Sequence, residues 1–149
     1  MSARALVAAA LTALVLGACT PENGPTMRPG EDCLRCHGGS PYGDQGQEVR
    51  PATAWSLAGT VYATEDASAD AGVEGADVQV TDASGFAFTL HTNLAGNFYS
   101  AESVKFPLQV CVSRHGSVQC MEGPAPNGAC NHCHAQPPQG EAAGRIAAP

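Results

Sequence analysis

Two pentapeptides of one pattern, Cys33-Leu34-Arg35-Cys36-His37 and Cys130-Asn131-His132-Cys133-His134, stand towards opposite ends of the chain, each beside a stretch that cannot fold on its own side chains. From Gly38 to Ala54 (GGSPYGDQGQEVRPATA) large apolar residues are scarce, and after Gly123 the only aliphatic larger than alanine is Ile146. Such flanks bury too little surface to offset the entropy of ordering them. Whatever folds must be built by the residues between, and only four Phe, three Tyr and one Trp are available in the whole chain. The polypeptide core is therefore thin.

Between the flanks the texture changes to period-two alternation with turn punctuation, the mark of short antiparallel strands. Strands are expected near 55–63, 76–82, 86–92, 97–101, 105–114 and 117–122, and no segment after residue 18 has a helical period. The fold class expected is all-β: a small antiparallel β-sandwich of about six to seven strands flanked by two irregular segments. The chain divides into an export signal (1–18), a tether (19–32), a first pentapeptide segment (33–54), the sandwich (55–122) and a second pentapeptide segment with tail (123–149). The loop 64–77 holds five acids and no base, and reads as a solvated connection because no calcium-ligand spacing appears in it.

Gly59-Thr60-Val61, Gly75 through Val80, Asp82 through Gly85 and Thr92 through Phe98 carry a resemblance to the carboxypeptidase-regulatory-like, transthyretin-like β-sandwich family over residues 57–113. The resemblance implies a scaffold and no catalytic residues.

Both pentapeptides are C-x-x-C-H, the attachment signature of c-type haem. Two thiols three positions apart can each add across one vinyl group of a haem, and the adjacent histidine can reach the iron. A zinc site would want its four ligands clustered, in a compartment that keeps thiols reduced. A thioredoxin-like dithiol would sit at a strand-to-helix junction, not in Gly/Pro-rich flanks. The chain thus resembles the multihaem c-type cytochromes. That resemblance covers the two pentapeptides and implies two haems c, with thioether bonds at Cys33, Cys36, Cys130 and Cys133 and proximal iron ligation by His37 and His134.

The other three of the seven cysteines also find assignments. Arg4 is followed by an apolar stretch from Ala5 to Leu16, too short to span a bilayer, and then by Leu16-Gly17-Ala18-Cys19. This looks like the lipobox of bacterial lipoproteins, which implies lipidation of Cys19; Thr20 after it implies sorting to the outer membrane. Cys111 and Cys120 flank a two-residue hairpin turning at His115-Gly116, with glycine supplying a positive φ. Counted outward from Arg114 opposite Ser117, the two cysteines face each other in a non-hydrogen-bonded pair, where a cross-strand disulfide fits.

The function expected is a lipid-anchored dihaem electron carrier of the cell envelope, not an enzyme, with redox proteins as partners. The formal charge of −7, one unit more negative once Arg4 is removed, repels phosphate backbones and excludes nucleic acid as a partner. A peroxidase or gas sensor with an open coordination position, and a haem-bearing binding module of a larger complex, are the competing readings. The sixth iron ligand separates carrier from enzyme, and the candidates are His91, His115, His132, Met27 and Met121. Six strands, each antiparallel to the one before, return the chain to the pole where it entered. This makes the two pentapeptides neighbours, leaves His91 and His115 at the far pole, and favours Met121 and His132 as distal ligands.

Overall fold

A computed structural model describes residues 24–38 and 54–149. The signal, Cys19 and the 39–53 stretch lie outside the described residues. Seven strands form two sheets: β1 (Leu57–Tyr62), β4 (Asn97–Ser100) and β7 (Ile146–Ala147) in the order β4-β1-β7, and β2 (Asp77–Thr81), β3 (Ala87–His91), β5 (Gln109–Arg114) and β6 (Ser117–Cys120) in the order β3-β2-β5-β6. The β1–β7 pair is parallel and the other strand pairs are antiparallel, so the fold is the expected small all-β sandwich. Among the described residues no helix is long and apolar enough to cross a membrane.

The alternation read from the sequence becomes one core. Leu57, Val61 and Phe98 from the first sheet meet Val78, Val80, Val110 and Val112 from the second. Phe98 sits over Gly59, where any side chain would drive a Cβ to 2.6 Å from the ring. β2 and β5 alternate buried and less buried residues as a sheet with one wet face should. β1 differs, since all six of its residues are buried. Its second face is covered by the lead-in around Gly30 and by the flank after Gly123, which is how segments without a core of their own become ordered.

Three expectations need correction. The fifth strand begins at Gln109, not near 105. Pro107 has no N–H to give a ladder, Lys105 exchanges its backbone bonds with the 82–84 turn, and Leu108 pairs with Ala125. The last strand, Ile146–Ala147, is missing from the expected set because two residues leave no readable period. Each pentapeptide, expected to be irregular, winds into a single helical turn, α1 (Leu34–His37) and α2 (Cys130–Cys133).

The hairpin register is as counted: Arg114 lies opposite Ser117 and Cys111 opposite Cys120, with sulfurs 2.02 Å apart. Both turn residues take positive φ, His115 at 51° and Gly116 at 86°, so the turn demands more of His115 than the sequence reading assumed. Replacing Cys111 and Cys120 by serine should lower stability by about 2–3 kcal/mol in a denaturant titration, given the short loop closed.

Asp82 clamps the β2–β3 turn. One carboxylate oxygen accepts from Ser84 N, Ser84 Oγ and Phe86 N, and the other accepts from Lys105 N. Led by the Ser84 hydroxyl, these donors hold the Asp82 carboxyl down at about 2, from an ordinary 3.8. A depressed carboxylate stabilises the fold above its unfolded pKa and loses that contribution as pH falls through the folded value. Stability should therefore drop between pH 4 and pH 2, and Asp82→Asn should flatten that part of a thermal-melt pH profile.

Candidate functional site

The second pentapeptide and the residues that lead into the first meet on β1, and a buried threonine joins them. Thr60 N–H donates to Asn131 Oδ1 at 2.9 Å, the place in the ladder between Ala58 N–H, which donates to Gly128 O, and the pairing with β7. Thr60 Oγ1 accepts from Gly30 N and Asn131 Nδ2 and donates to Asn97 Oδ1. Asn131 Nδ2 also donates to Glu31 O at 2.9 Å, which ties the second pentapeptide to the residues just before the first. Asn97 Nδ2 donates to Met27 O at 2.9 Å and Asn93 Nδ2 to Pro25 O. The lead-in from Gly24 to Asp32, read from sequence as part of a loose tether, is thus docked through its own backbone groups.

In α1, His37 N–H bonds Cys33 O at 2.9 Å, and in α2, His134 N–H bonds Cys130 O at 3.0 Å. One helical turn places thiols three positions apart on one side, with the histidine beginning the way round again. Cys130 packs against the core beside Gly59, and burial, with the neighbouring Cys33 adding to it, pushes its thiol up to about 12. Burial, then Asp32, pushes Cys33 up to about 11. Cys36 is exposed and Cys133 half-buried. Among the described residues no group of three or more His, Cys, Asp or Glu side chains is placed to hold a metal ion by itself.

The two histidines are fixed by different means. His134 Nδ1 lies 2.8 Å from Gly144 O; a carbonyl only accepts, so Nδ1 carries the proton and Nε2 keeps its lone pair in the neutral ring. His37 stacks on Trp55 with ring centroids 4.0 Å apart, and Trp55 stacks in turn on Tyr99 at 4.3 Å.

Arg145 follows Gly144 into the interior. It is 9 % exposed, its guanidinium lies 4.4 Å over the Tyr62 ring, Nε donates to Ala67 O, and its N–H donates to Glu65 O. The 64–77 loop, expected to be a solvated connection, therefore supplies the carbonyl that holds this cation, Ala67 O, and the one that holds its backbone, Glu65 O. Gly30, at φ 81°, makes room for it: a Cβ there would lie 2.3 Å from Arg145 Nη1 and 2.4 Å from the Tyr62 hydroxyl. Burial raises the Tyr62 hydroxyl pKa, with Arg145 opposing.

Among the proposed distal ligands, His132 projects across to the first pentapeptide, with Nδ1 3.3 Å from Asp32 Oδ2. Its ring, Asp32, Leu34, Arg35 and Asn131 line an open groove of about 570 Å³ between the pentapeptides. Met121 follows β6, 36 % exposed, with its N–H on Val110 O. His91 pairs with Asp77 at 2.6 Å on the outer face of the second sheet, and His115 sits at the hairpin tip beyond Ser113, which shares Asp77 as a ladder partner. These two occupy one end of that sheet.

Sequence reading passed over Asn131, Thr60, Asn97, Arg145 and the Trp55–Tyr99 pair. The one available signal was an asparagine between two cysteines, a residue able to satisfy a strand edge and a passing loop together. The chain matches no family model, no curated protein and no solved structure.

Asn131→Ala should cost about 2–4 kcal/mol in a denaturant titration, because it strands the buried Thr60 N–H and takes a donor from Thr60 Oγ1. His132→Ala should stay within about 0.5 kcal/mol, because its pair with Asp32 is half in solvent.

Proposed function

We propose that the chain is a dihaem c-type cytochrome that carries electrons in the cell envelope, anchored through a lipid on Cys19 and sorted to the outer membrane. The observation that carries this reading is the pair of single-turn C-x-x-C-H helices that border one groove, with His134 Nε2 keeping its lone pair because Nδ1 contacts Gly144 O. In this reading Cys33, Cys36, Cys130 and Cys133 hold the haems as thioethers, and His37 and His134 bind the irons.

The residues fit the group. A thioether is uncharged, so the burial that keeps the Cys33 and Cys130 thiols from ionising costs the product nothing, whereas a zinc thiolate or a reactive dithiol needs an ionised sulfur. The bond from His134 Nδ1 to a carbonyl fixes its tautomer and ring orientation, as ligand histidines require. When bound, each haem supplies a one-electron couple at its iron and an apolar surface for the flanks to pack on. Two such groups seated beside one another suit electron passage.

His132 and Met121 are the distal ligands in this proposal. The position of His132 over the first pentapeptide favours its reaching the neighbouring group and not its own. Six-coordinate, low-spin irons make the protein a carrier whose partners are redox proteins of the envelope. Its acidic surface suits a cationic partner patch.

Protein matured in a host with haem-attachment machinery should show two haem additions by mass spectrometry. Replacing Cys33 and Cys36 by alanine should remove one, and replacing Cys130 and Cys133 the other. Its ferric spectrum should be low-spin, with a band near 695 nm that disappears in Met121→Ala, as Met–iron ligation gives. Apo-protein that takes up zinc overturns the reading, and high-spin ferric iron that readily binds cyanide or peroxide replaces the carrier with an enzyme.

A further inference from the structure

The geometry points to Trp55, backed by Tyr99, as a positioning residue that sets the plane of the His37 imidazole and hence the electronic axes of the first haem iron. This rests on the dihaem reading above and concerns one of its two sites.

The Trp55 N–H donates to His37 O at 2.6 Å. Backbone and ring are therefore both tied to the histidine. The imidazole and indole are nearly parallel, 16° apart with centroids at 4.0 Å, and the indole and phenol are 11° apart at 4.3 Å. The outermost ring is not loose. Tyr99 pairs with Ala58 across the β1–β4 ladder, and its ring faces outward, 37 % exposed, while Phe98 and Ser100 on either side of it are buried.

An imidazole that binds iron through Nε2 keeps one soft rotation, about the axis through that nitrogen. At the second site that rotation is restrained in the ring plane by the contact of His134 Nδ1 with Gly144 O. At the first site the flat indole restrains it, because turning the imidazole would drive its edge into the Trp55 face. The overlap of the imidazole π orbital with the iron d orbitals follows the ring plane, so in a low-spin ferric haem that plane decides how unpaired spin is shared among the four haem methyl groups. The two irons would then be oriented by independent devices, and one can be disturbed without the other.

Paramagnetic NMR of the ferric dihaem protein reads this directly as two sets of shifted haem-methyl resonances. Trp55→Leu, which keeps apolar bulk and removes the flat face, should rearrange the shift pattern of one set and leave the other in place. Trp55→Phe should restore the native pattern of the affected set. Tyr99→Leu should disturb the same set by a smaller amount, and it carries the test if Trp55→Leu fails to mature. Two haems by mass with both sets unchanged in these leucine variants overturn the inference alone. So do both sets moving together, or Trp55→Phe behaving as Trp55→Leu does. A chain that captures no haem overturns the dihaem reading and this inference with it.

Discussion

Everything at the candidate site hangs on the saturation of one threonine and one asparagine. Thr60 Oγ1 has one proton and two lone pairs, and all three are used: it donates to Asn97 and accepts from Gly30 N and Asn131 Nδ2. Asn131 spends both amide protons, on Glu31 O and Thr60 Oγ1, and its oxygen receives the Thr60 N–H. Both residues are buried, at 0 % and 3 % exposure, so a missing partner would leave a polar group where water does not readily replace it. An apolar cluster tolerates sliding; this arrangement accepts one geometry. It brings the lead-in to the first pentapeptide, the second pentapeptide, β1 and β4 to a common point.

The consequence is that two segments without cores, the lead-in 24–32 and the flank after Gly123, behave as one layer. β1 is buried on both faces, with Leu57 and Val61 turned to the valines of the opposite sheet and Thr60 to the docked flanks. Opening either flank exposes the polar cluster beneath the other. The C-terminal tail adds a second fastening, since β7 pairs beside β1 and Arg145 lies over Tyr62 against Gly30. A small protein with few aromatics thus adds buried polar geometry to its apolar core.

This division explains which parts were legible in the sequence. Strand alternation survives in β2, β3 and β5 because those strands have one wet face, and the hairpin register follows from the two turn residues His115 and Gly116. That the pentapeptides would be neighbours followed from strand parity, and the contacts from Asn131 to Glu31 and from His132 to Asp32 are how they meet. The polar hub left no such trace. Thr60 and Asn131 are 71 residues apart, neither belongs to a repeating pattern, and a threonine in a strand looks the same whether its hydroxyl meets water or an amide. Ile146 was visible only as the sole large aliphatic of its flank, and two residues cannot show a period. The docking of residues 24–32 was hidden for a related reason: it uses carbonyls and an N–H, which every sequence carries.

On the dihaem reading, the same architecture imposes an order of events. Cys130 packs beside Gly59 and against the core, so its sulfur is poorly placed for addition once the second flank has closed. Attachment must then precede docking. Flanks poor in apolar residues have little to collapse onto by themselves, which on that reading leaves the C-x-x-C-H segments open until haem is attached. The haem then brings the apolar surface that the flank lacks, and the Thr60–Asn131–Asn97 cluster supplies the register in which that surface is laid down. The weakness of the flanks as folding units is what makes the thiols available, and the polar hub is what makes the final arrangement single.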